Sequence, residues 1–299
     1  MAKLTSREQA LLGRGYSETQ ILTLGRTDDS VVRETARRLA ADFPTGNTSP
    51  GMPKCIFLGG QPGSGKSVHS RRITAQAESR YVEIGLDLYR TWHPHYGDIE
   101  RVIADHWIDR TETENDTPGN DIADFTHLFA GQVTDAVIAL AQQRRLDMIL
   151  EWGLRTWEEP LRMMQDIYSM GYRISICFIA ADRQTSLAAC QFRADVMDAA
   201  GHIMRRVSNE FHELALSTLA ESCRRLYDEA VIANAWCDDF RIVDRAGNIL
   251  WRCGDTGHPA EVYAVCLNTP CVCTANSEAE AIRSADAELR GLQLGRNAQ

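Results

Sequence analysis

Lysine is nearly missing from this 299-residue chain: Lys3, Lys54 and Lys66 stand against 29 arginines. A lysine retained inside a motif therefore needs a chemical reason. Long apolar runs are missing too, since no stretch approaches the roughly 18 uncharged residues that a membrane-spanning helix requires. The opening MAKLTSREQALLGRG scatters its charges and has no apolar centre, so it does not read as a secretory leader, and a cytoplasmic protein is expected. Positive charge is in deficit. The 32 Lys and Arg against 41 Asp and Glu leave a net −9, which argues against holding nucleic acid by its phosphates. The nine cysteines lack the paired spacing of a structural zinc site; Cys271-x-Cys273 is too tight, and Cys253, His258 and Cys266 supply no second pair. Scattered reduced thiols are expected instead.

What is present is a globular composition, 44% hydrophobic and 24% charged, sufficient for a substantial core. Residues 1–50 read as a helical preface, with capping patterns at Thr5-Ser6-Arg7-Glu8 and Ser17-Glu18-Thr19-Gln20. The run FPTGNTSPGMP punctuates its end. Over 51–262, short apolar runs at 55–58, 81–84, 147–150 and 173–179 alternate with helix-length segments, and 241–251 reads as strand, tight turn and strand. That alternation predicts an α/β fold, a three-layer α/β/α arrangement with a mostly parallel central sheet and an N-terminal helical segment. A long helical stretch is expected over 183–234. Residues 98–124 carry nine acidic residues against two arginines and read as a solvated helix with a mobile loop, or as a lid or partner-binding insert. Residues 263–299 read as a peripheral tail with one helix.

The strongest signal is Gly60-Gln61-Pro62-Gly63-Ser64-Gly65-Lys66-Ser67, which has the spacing G-x-x-x-x-G-K-[ST] between a predicted strand and a predicted helix. Glycines let the backbone curl so that N–H groups face phosphate oxygens, with the helix N-terminus adding its positive end. Lys66 reaches the terminal phosphates and Ser67 offers a hydroxyl to Mg²⁺. A compact ammonium fits such a loop where a planar guanidinium does not, which accounts for a lysine here. ATP or GTP with Mg²⁺ is the expected ligand.

Two carboxylates fall at the ends of neighbouring strands. Asp87 follows 81–84, ahead of Arg90 and His93-Pro94, and Glu151 ends 147–150. A phosphoryl acceptor needs a carboxylate to orient its hydroxyl and take its proton. Asp87 suits that role, or a place on Mg²⁺ through water; Glu151 suits a second acceptor hydroxyl. No apolar run ending in Asp supplies a conventional second magnesium motif, so these two are also the candidates for it. Arg193, Arg205 and Arg206, ahead of His212, could swing over a triphosphate and offset charge in the transition state.

Together these pieces resemble the zeta toxin family, the P-loop kinases of bacterial toxin–antitoxin systems. The resemblance rests on residues 59–67, on Asp87 with Arg90 and His93-Pro94, on Glu151 with Leu154-Arg155-Thr156, and on the later arginines, over roughly 52–252. It implies transfer of the γ-phosphoryl of ATP or GTP to the 3′-hydroxyl of UDP-N-acetylglucosamine or a related nucleotide sugar, in a toxin that inhibits cell-wall synthesis. Asp87 would be the base and Lys66 and the arginines would hold phosphates. Glu151, with Arg90, His93 and Arg155, would hold the acceptor. It also implies a small helical antitoxin over the nucleotide site, with residues 1–46 as a contact surface or an inhibitory segment. Two departures bear on acceptor choice: Gly85 stands where the family usually has Asp, and Trp152-Gly153 stand where it favours Gly-Thr. The residues alone also fit a P-loop kinase for another hydroxylated metabolite (a dinucleotide, nucleoside or antibiotic), or an NTP-dependent interaction module without turnover.

Overall fold

A computed structural model describes residues 3–44, 51–77, 81–113, 116–199, 203 and 206–269. Its centre is a six-stranded sheet built from β1 (Lys54–Gly59), β2 (Tyr81–Ile84), β3 (Asp147–Glu151), β4 (Arg173–Ala180), β5 (Cys237–Asp244) and β6 (Ile249–Arg252). The order is β2-β3-β1-β4-β5-β6. The first five strands pair in parallel and β6 closes the edge antiparallel to β5. Every predicted strand is present, β5 starting at Cys237, ahead of the expected 241.

Both faces of the sheet are covered. Ile56, Leu58, Ile149, Cys177, Ile179 and Val243 form one face, packed by Ile73 of α4 (Lys66–Gln76). The alternate residues Phe57, Met148, Leu150, Ile174, Ile176 and Phe178 face the larger core. That core takes in helices α3 (Asp29–Leu39), α7 (His127–Gln143), α8 (Glu158–Ser169), α10 (Asn209–Tyr227) and α11 (Pro259–Asn268). The period-two alternation of strands thus serves two helical layers, as a buried parallel sheet requires.

Three expectations change. The stretch 183–234 is not one helix: α9 spans Arg183–Ala199, and α10 starts afresh at Asn209, where the Ser208 hydroxyl accepts the Phe211 N–H at 3.1 Å. Side-chain periodicity continues across such a break, so only the cap marks it. In the acidic region residues 108–113 are exposed, as a loop would be, but the helices are not merely solvated. Its helices α5 (Tyr96–Trp107) and α6 (Pro118–Phe125) pack against α1 (Ser6–Gly13) and α2 (Glu18–Gly25). Together they form a second core around Leu11, Tyr16, Ile21, Ile99, Ile103 and Phe125. Some of its acids are matched by arginines that lie far away in sequence. Asp121, fully buried, accepts from Tyr16 Oη at 2.6 Å and Trp107 Nε1 at 2.7 Å and faces Arg14 Nε at 2.7 Å. Asp124 pairs with both Arg7 and Arg14 at 2.5 Å. The helical preface therefore divides, α1 and α2 joining this second core while α3 lies on α7.

Lastly, the expected boundary at 262/263 falls inside α11, whose Tyr263 is fully buried and donates to the Ile179 carbonyl at 3.3 Å. Residues 270–299 of the expected tail lie outside the described residues, Cys271 and Cys273 among them. No helix among the described residues is long and apolar enough to cross a membrane.

Candidate active site

The phosphate loop leaves β1 at Gly59 and enters α4 at Lys66. Gly60, Gly63 and Gly65 take φ of 142°, 75° and 97°, values at which a β-carbon is strained. Gly63 is the tightest: a β-carbon there would stand 2.0 Å from the Ser186 carbonyl oxygen and 2.9 Å from Cys190 Sγ. The loop is braced from α9. Gln61 is fully buried, and its Nε2 donates to the Ala181 carbonyl at 2.5 Å and Ser186 Oγ at 3.2 Å. Ser186 Oγ in turn lies 2.9 Å from His212 Nε2. Burial lowers the pKa of His212, which keeps the ring neutral and able to share that bond. From the β5–β6 hairpin, Arg245 Nη1 donates to the Gly63 carbonyl at 3.0 Å. Gly63→Ala is expected to displace the loop and weaken nucleotide affinity by about tenfold or more, the αL penalty alone being ~1–2 kcal/mol. A titration of nucleotide into the variant checks it; unchanged affinity would show that the loop adapts.

Lys66 Nζ donates to the carbonyls of Gly60 and Gln61 at 2.9 and 3.0 Å. Ser67 Oγ donates to Glu151 Oε2 at 2.8 Å. The β1–β3 register pairs Leu58 with Glu151, so the strand end delivers this carboxylate to the loop. Burial raises the Glu151 pKa, against the Ser67 bond and the Lys66 charge; burial likewise lowers that of Lys66, against Glu151. Each group thus offsets the desolvation of the other.

Glu151 stands on the phosphate-loop side of the crevice, beside the hydroxyl that the motif assigns to Mg²⁺. The chain after it folds over the loop. Trp152 N donates to the Leu58 carbonyl at 3.2 Å and Gly60 N to the Gly153 carbonyl at 3.3 Å. Leu154 is buried at a φ of 49°, an uncommon strain for a branched residue. At Gly85, a β-carbon would press within 3.3 Å of Glu151 Cβ, so the small residue there leaves room for this carboxylate.

Asp87 lies on a short 3₁₀ segment, Leu86–Trp92, with its side chain 82% exposed. Arg90 is largely buried behind it. Its Nε donates to Asp87 Oδ1 at 2.7 Å, and its Nη1 donates to the Ala123 carbonyl at 2.7 Å and Thr126 Oγ1 at 3.1 Å. The guanidinium thus ties Asp87 to the junction of α6 and α7. His93 is fully buried, its Nδ1 accepting from His95 N at 3.2 Å while its ring packs edge-on against Phe129 at 4.8 Å. Burial pushes its pKa down to about 4. It anchors the turn before Pro94 and offers no surface to an acceptor.

The arginines separate. The charge of Arg193, on α9, reaches Lys66, as does that of Asp87. Arg206 is held on the outer side of α9 by Asp195 and Asp198. Arg205 lies outside the described residues. Arg155 lays its guanidinium over the Phe211 ring at 5.2 Å, which links the loop after Glu151 to the start of α10. The braces Ser186 and Arg245 have no motif around them, and His212 reads only as following the later arginines. A helix from 183 was legible, but its contact with residue 61 was not.

This arrangement can be set beside known proteins. The pneumococcal PezT toxin (Streptococcus pneumoniae serotype 4) is 25% identical over 206 residues, covering 69% of this chain and 75% of the toxin. The zeta toxin of Streptococcus agalactiae is 21% identical over 232 residues, covering 77% and 71%. Among solved structures, one from the PezAT toxin–antitoxin system of Streptococcus pneumoniae superposes with a TM-score of 0.66 at 20% identity, over 90% of this chain and 98% of that one. The complex of AvrRxo1-ORF1 with AvrRxo1-ORF2 gives 0.52 at 13% identity, over 99% and 95%. These structural likenesses show the shared fold. The Zeta toxin family profile matches residues 38–255, from the end of α3 through the braced phosphate loop and both strand-end carboxylates to the closing hairpin, and the chain belongs to the zeta toxin family.

Proposed function

We propose that this protein is an ATP- or GTP-dependent phosphotransferase that phosphorylates the sugar 3′-hydroxyl of UDP-N-acetylglucosamine or a related nucleotide sugar, and acts as a toxin on cell-wall synthesis. The observations that carry the reading are the curled glycine loop with Lys66, the Ser67–Glu151 bond beside it, and an exposed Asp87 carboxylate whose charge reaches Lys66. The loop fits a triphosphate because the positive φ of its glycines curls the backbone, while its N–H groups and Lys66 supply the donors. The Ser67 hydroxyl and Glu151 carboxylate are oxygen donors of the kind that hard Mg²⁺ prefers. The bound nucleotide supplies the phosphoryl group and its magnesium offsets oxygen charge.

Asp87 takes the proton of the attacking hydroxyl as that oxygen bonds the γ-phosphorus and the bridging oxygen leaves with the diphosphate. Lys66 and Arg193 offset the charge gathered on the phosphates. A small helical antitoxin is the proposed protein partner.

Placing Glu151 on the metal side gives it a separate signature. Glu151→Gln is expected to raise the Mg²⁺ concentration for half-maximal rate by about fivefold or more, since a carboxylate near the ion usually changes its affinity that far. The acceptor KM should stay within about twofold. A magnesium titration at saturating ATP checks this, and a selective rise in acceptor KM would return Glu151 to the sugar. The function itself is tested by ATP consumption with a panel of acceptors: UDP-N-acetylglucosamine should stimulate it. Stimulation only by a nucleoside, a dinucleotide or an antibiotic would reassign the acceptor. Binding of nucleotide with no stimulation by any acceptor would favour an interaction module.

A further inference from the structure

The family motif places Arg90 among the groups expected to hold the acceptor, but its guanidinium is bonded to the protein at three points. Asp87 and Arg90 are three residues apart on the 3₁₀ segment Leu86–Trp92. In such a segment residues i and i+3 stand one above the other, which brings Arg90 Nε to 2.7 Å from Asp87 Oδ1. Nη1 reaches a distant segment, donating to the Ala123 carbonyl at 2.7 Å and to Thr126 Oγ1 at 3.1 Å. Only 12% of the Arg90 side chain is exposed, against 82% for Asp87. A planar fork holds its acceptors in fixed directions. Here it joins an exposed carboxylate to a buried anchor, since Ala123 and Thr126 are both buried.

The anchor is itself held. Thr126 caps the end of α6, and its hydroxyl donates to the Ile122 carbonyl at 2.7 Å. Residues three apart on a helix share a face. Asp121 and Asp124 share the one turned to the N-terminal helices, where Arg7 and Arg14 pair with Asp124 and Tyr16 Oη donates to Asp121 at 2.6 Å. Ala123 and Thr126, also three apart, supply the two acceptors for Arg90. α6 is thus clamped along one face and carries Arg90 from a different one.

We infer that Arg90 is a positioning residue for the proton-accepting step: from its anchor on α6 it fixes the Asp87 carboxylate for the attacking hydroxyl, and it does not hold the acceptor. The inference rests on the phosphotransferase reading proposed above, with Asp87 as the base. Proton transfer needs the base within hydrogen-bond reach of the hydroxyl, so an exposed carboxylate that turns freely is a poor one. A 2.7 Å bond from a largely buried guanidinium removes that freedom while the carboxylate itself stays exposed.

The test is a double-mutant cycle on the full chain, read as kcat and KM for UDP-N-acetylglucosamine at saturating ATP and Mg²⁺. Arg90→Gln should lower kcat about tenfold or more, as a misplaced catalytic group does, with the acceptor KM within about threefold. In the Asp87→Ala background the same substitution should change neither by more than about twofold, because a residue that acts through Asp87 then has nothing to act on. A role confined to holding the fold would repeat its loss of kcat in both backgrounds, and an acceptor ligand would raise the acceptor KM in both. Either result overturns the inference, as does wild-type kcat in Arg90→Gln or in Asp87→Ala. Should Arg90→Gln lack a cooperative melting transition, Thr126→Val removes one acceptor from the anchor and goes through the same cycle. About a threefold fall in kcat is then expected, and none after Asp87→Ala; equal kcat for wild type and Thr126→Val overturns the inference. If product mass shows that wild type phosphorylates a different acceptor, the nucleotide-sugar reading fails by itself, and the cycle run with that acceptor decides Arg90 by the same criterion. If wild type phosphorylates no acceptor, both readings fall.

Discussion

Lys66→Ala should reduce phosphoryl transfer by about a thousandfold or more, close to the ~4 kcal/mol that charge-stabilising groups supply at transferring phosphoryls. The side chain bonds the carbonyls of Gly60 and Gln61 from the first position of α4, so its ammonium stands where the loop curls. Burial already lowers its pKa, and Glu151 beside it opposes that shift. Taking the charge away leaves Glu151 desolvated beside Ser67 with less to offset it. Lys66→Arg should fail nearly as badly, because a planar fork does not fit between two converging carbonyls. Near-normal activity in Lys66→Arg would undo the explanation of why an arginine-rich chain keeps lysine here. In cells, wild type should arrest growth on expression while Lys66→Ala does not, which colony counts after induction would show.

Asp87→Ala should lower kcat by about 10²–10⁴, the range over which positioned general bases act, with the nucleotide KM within about threefold. The two effects separate because the carboxylate is 82% exposed and bonds Arg90, which lies outside the loop. Its pairing with Arg90 is an exposed one on the Asp87 side and adds at most ~1 kcal/mol to stability, so the melting temperature should move little. Single-turnover assays at saturating ATP distinguish the outcomes. Wild-type kcat in Asp87→Ala would remove it as the base. A large fall in melting temperature would instead make it a structural partner of Arg90.

Much of this was legible before any coordinates. The strands were readable because each is a short apolar run ending at polar or glycine residues, and the phosphate loop because its chemistry demands fixed spacing. Glu151 was legible as a strand-end carboxylate but not as a neighbour of Ser67, since that pairing depends on which strand lies beside β1. Asp121 and Asp124 read as solvated acids because their partners, Arg7, Arg14 and Tyr16, lie more than a hundred residues away. His93 and Arg90 sit in one motif, yet folding sends one ring into the core and aims the other side chain at Asp87. Spacing alone does not separate those fates. The brace from Gln61 through Ser186 to His212 was not legible as a connection, because hydrogen bonds between distant segments impose no periodicity on either.

Transfer of a phosphoryl group at Lys66 to a nucleotide sugar leaves a chemical trace in the product. The most direct measurement is the mass and phosphorus NMR of the product formed from UDP-N-acetylglucosamine, ATP and Mg²⁺ with the full chain. The account predicts one added phosphoryl group, coupled to the proton on sugar carbon 3, and none with Lys66→Ala. An unmodified nucleotide sugar, in a reaction where the same protein phosphorylates another metabolite or merely hydrolyses ATP, would contradict it.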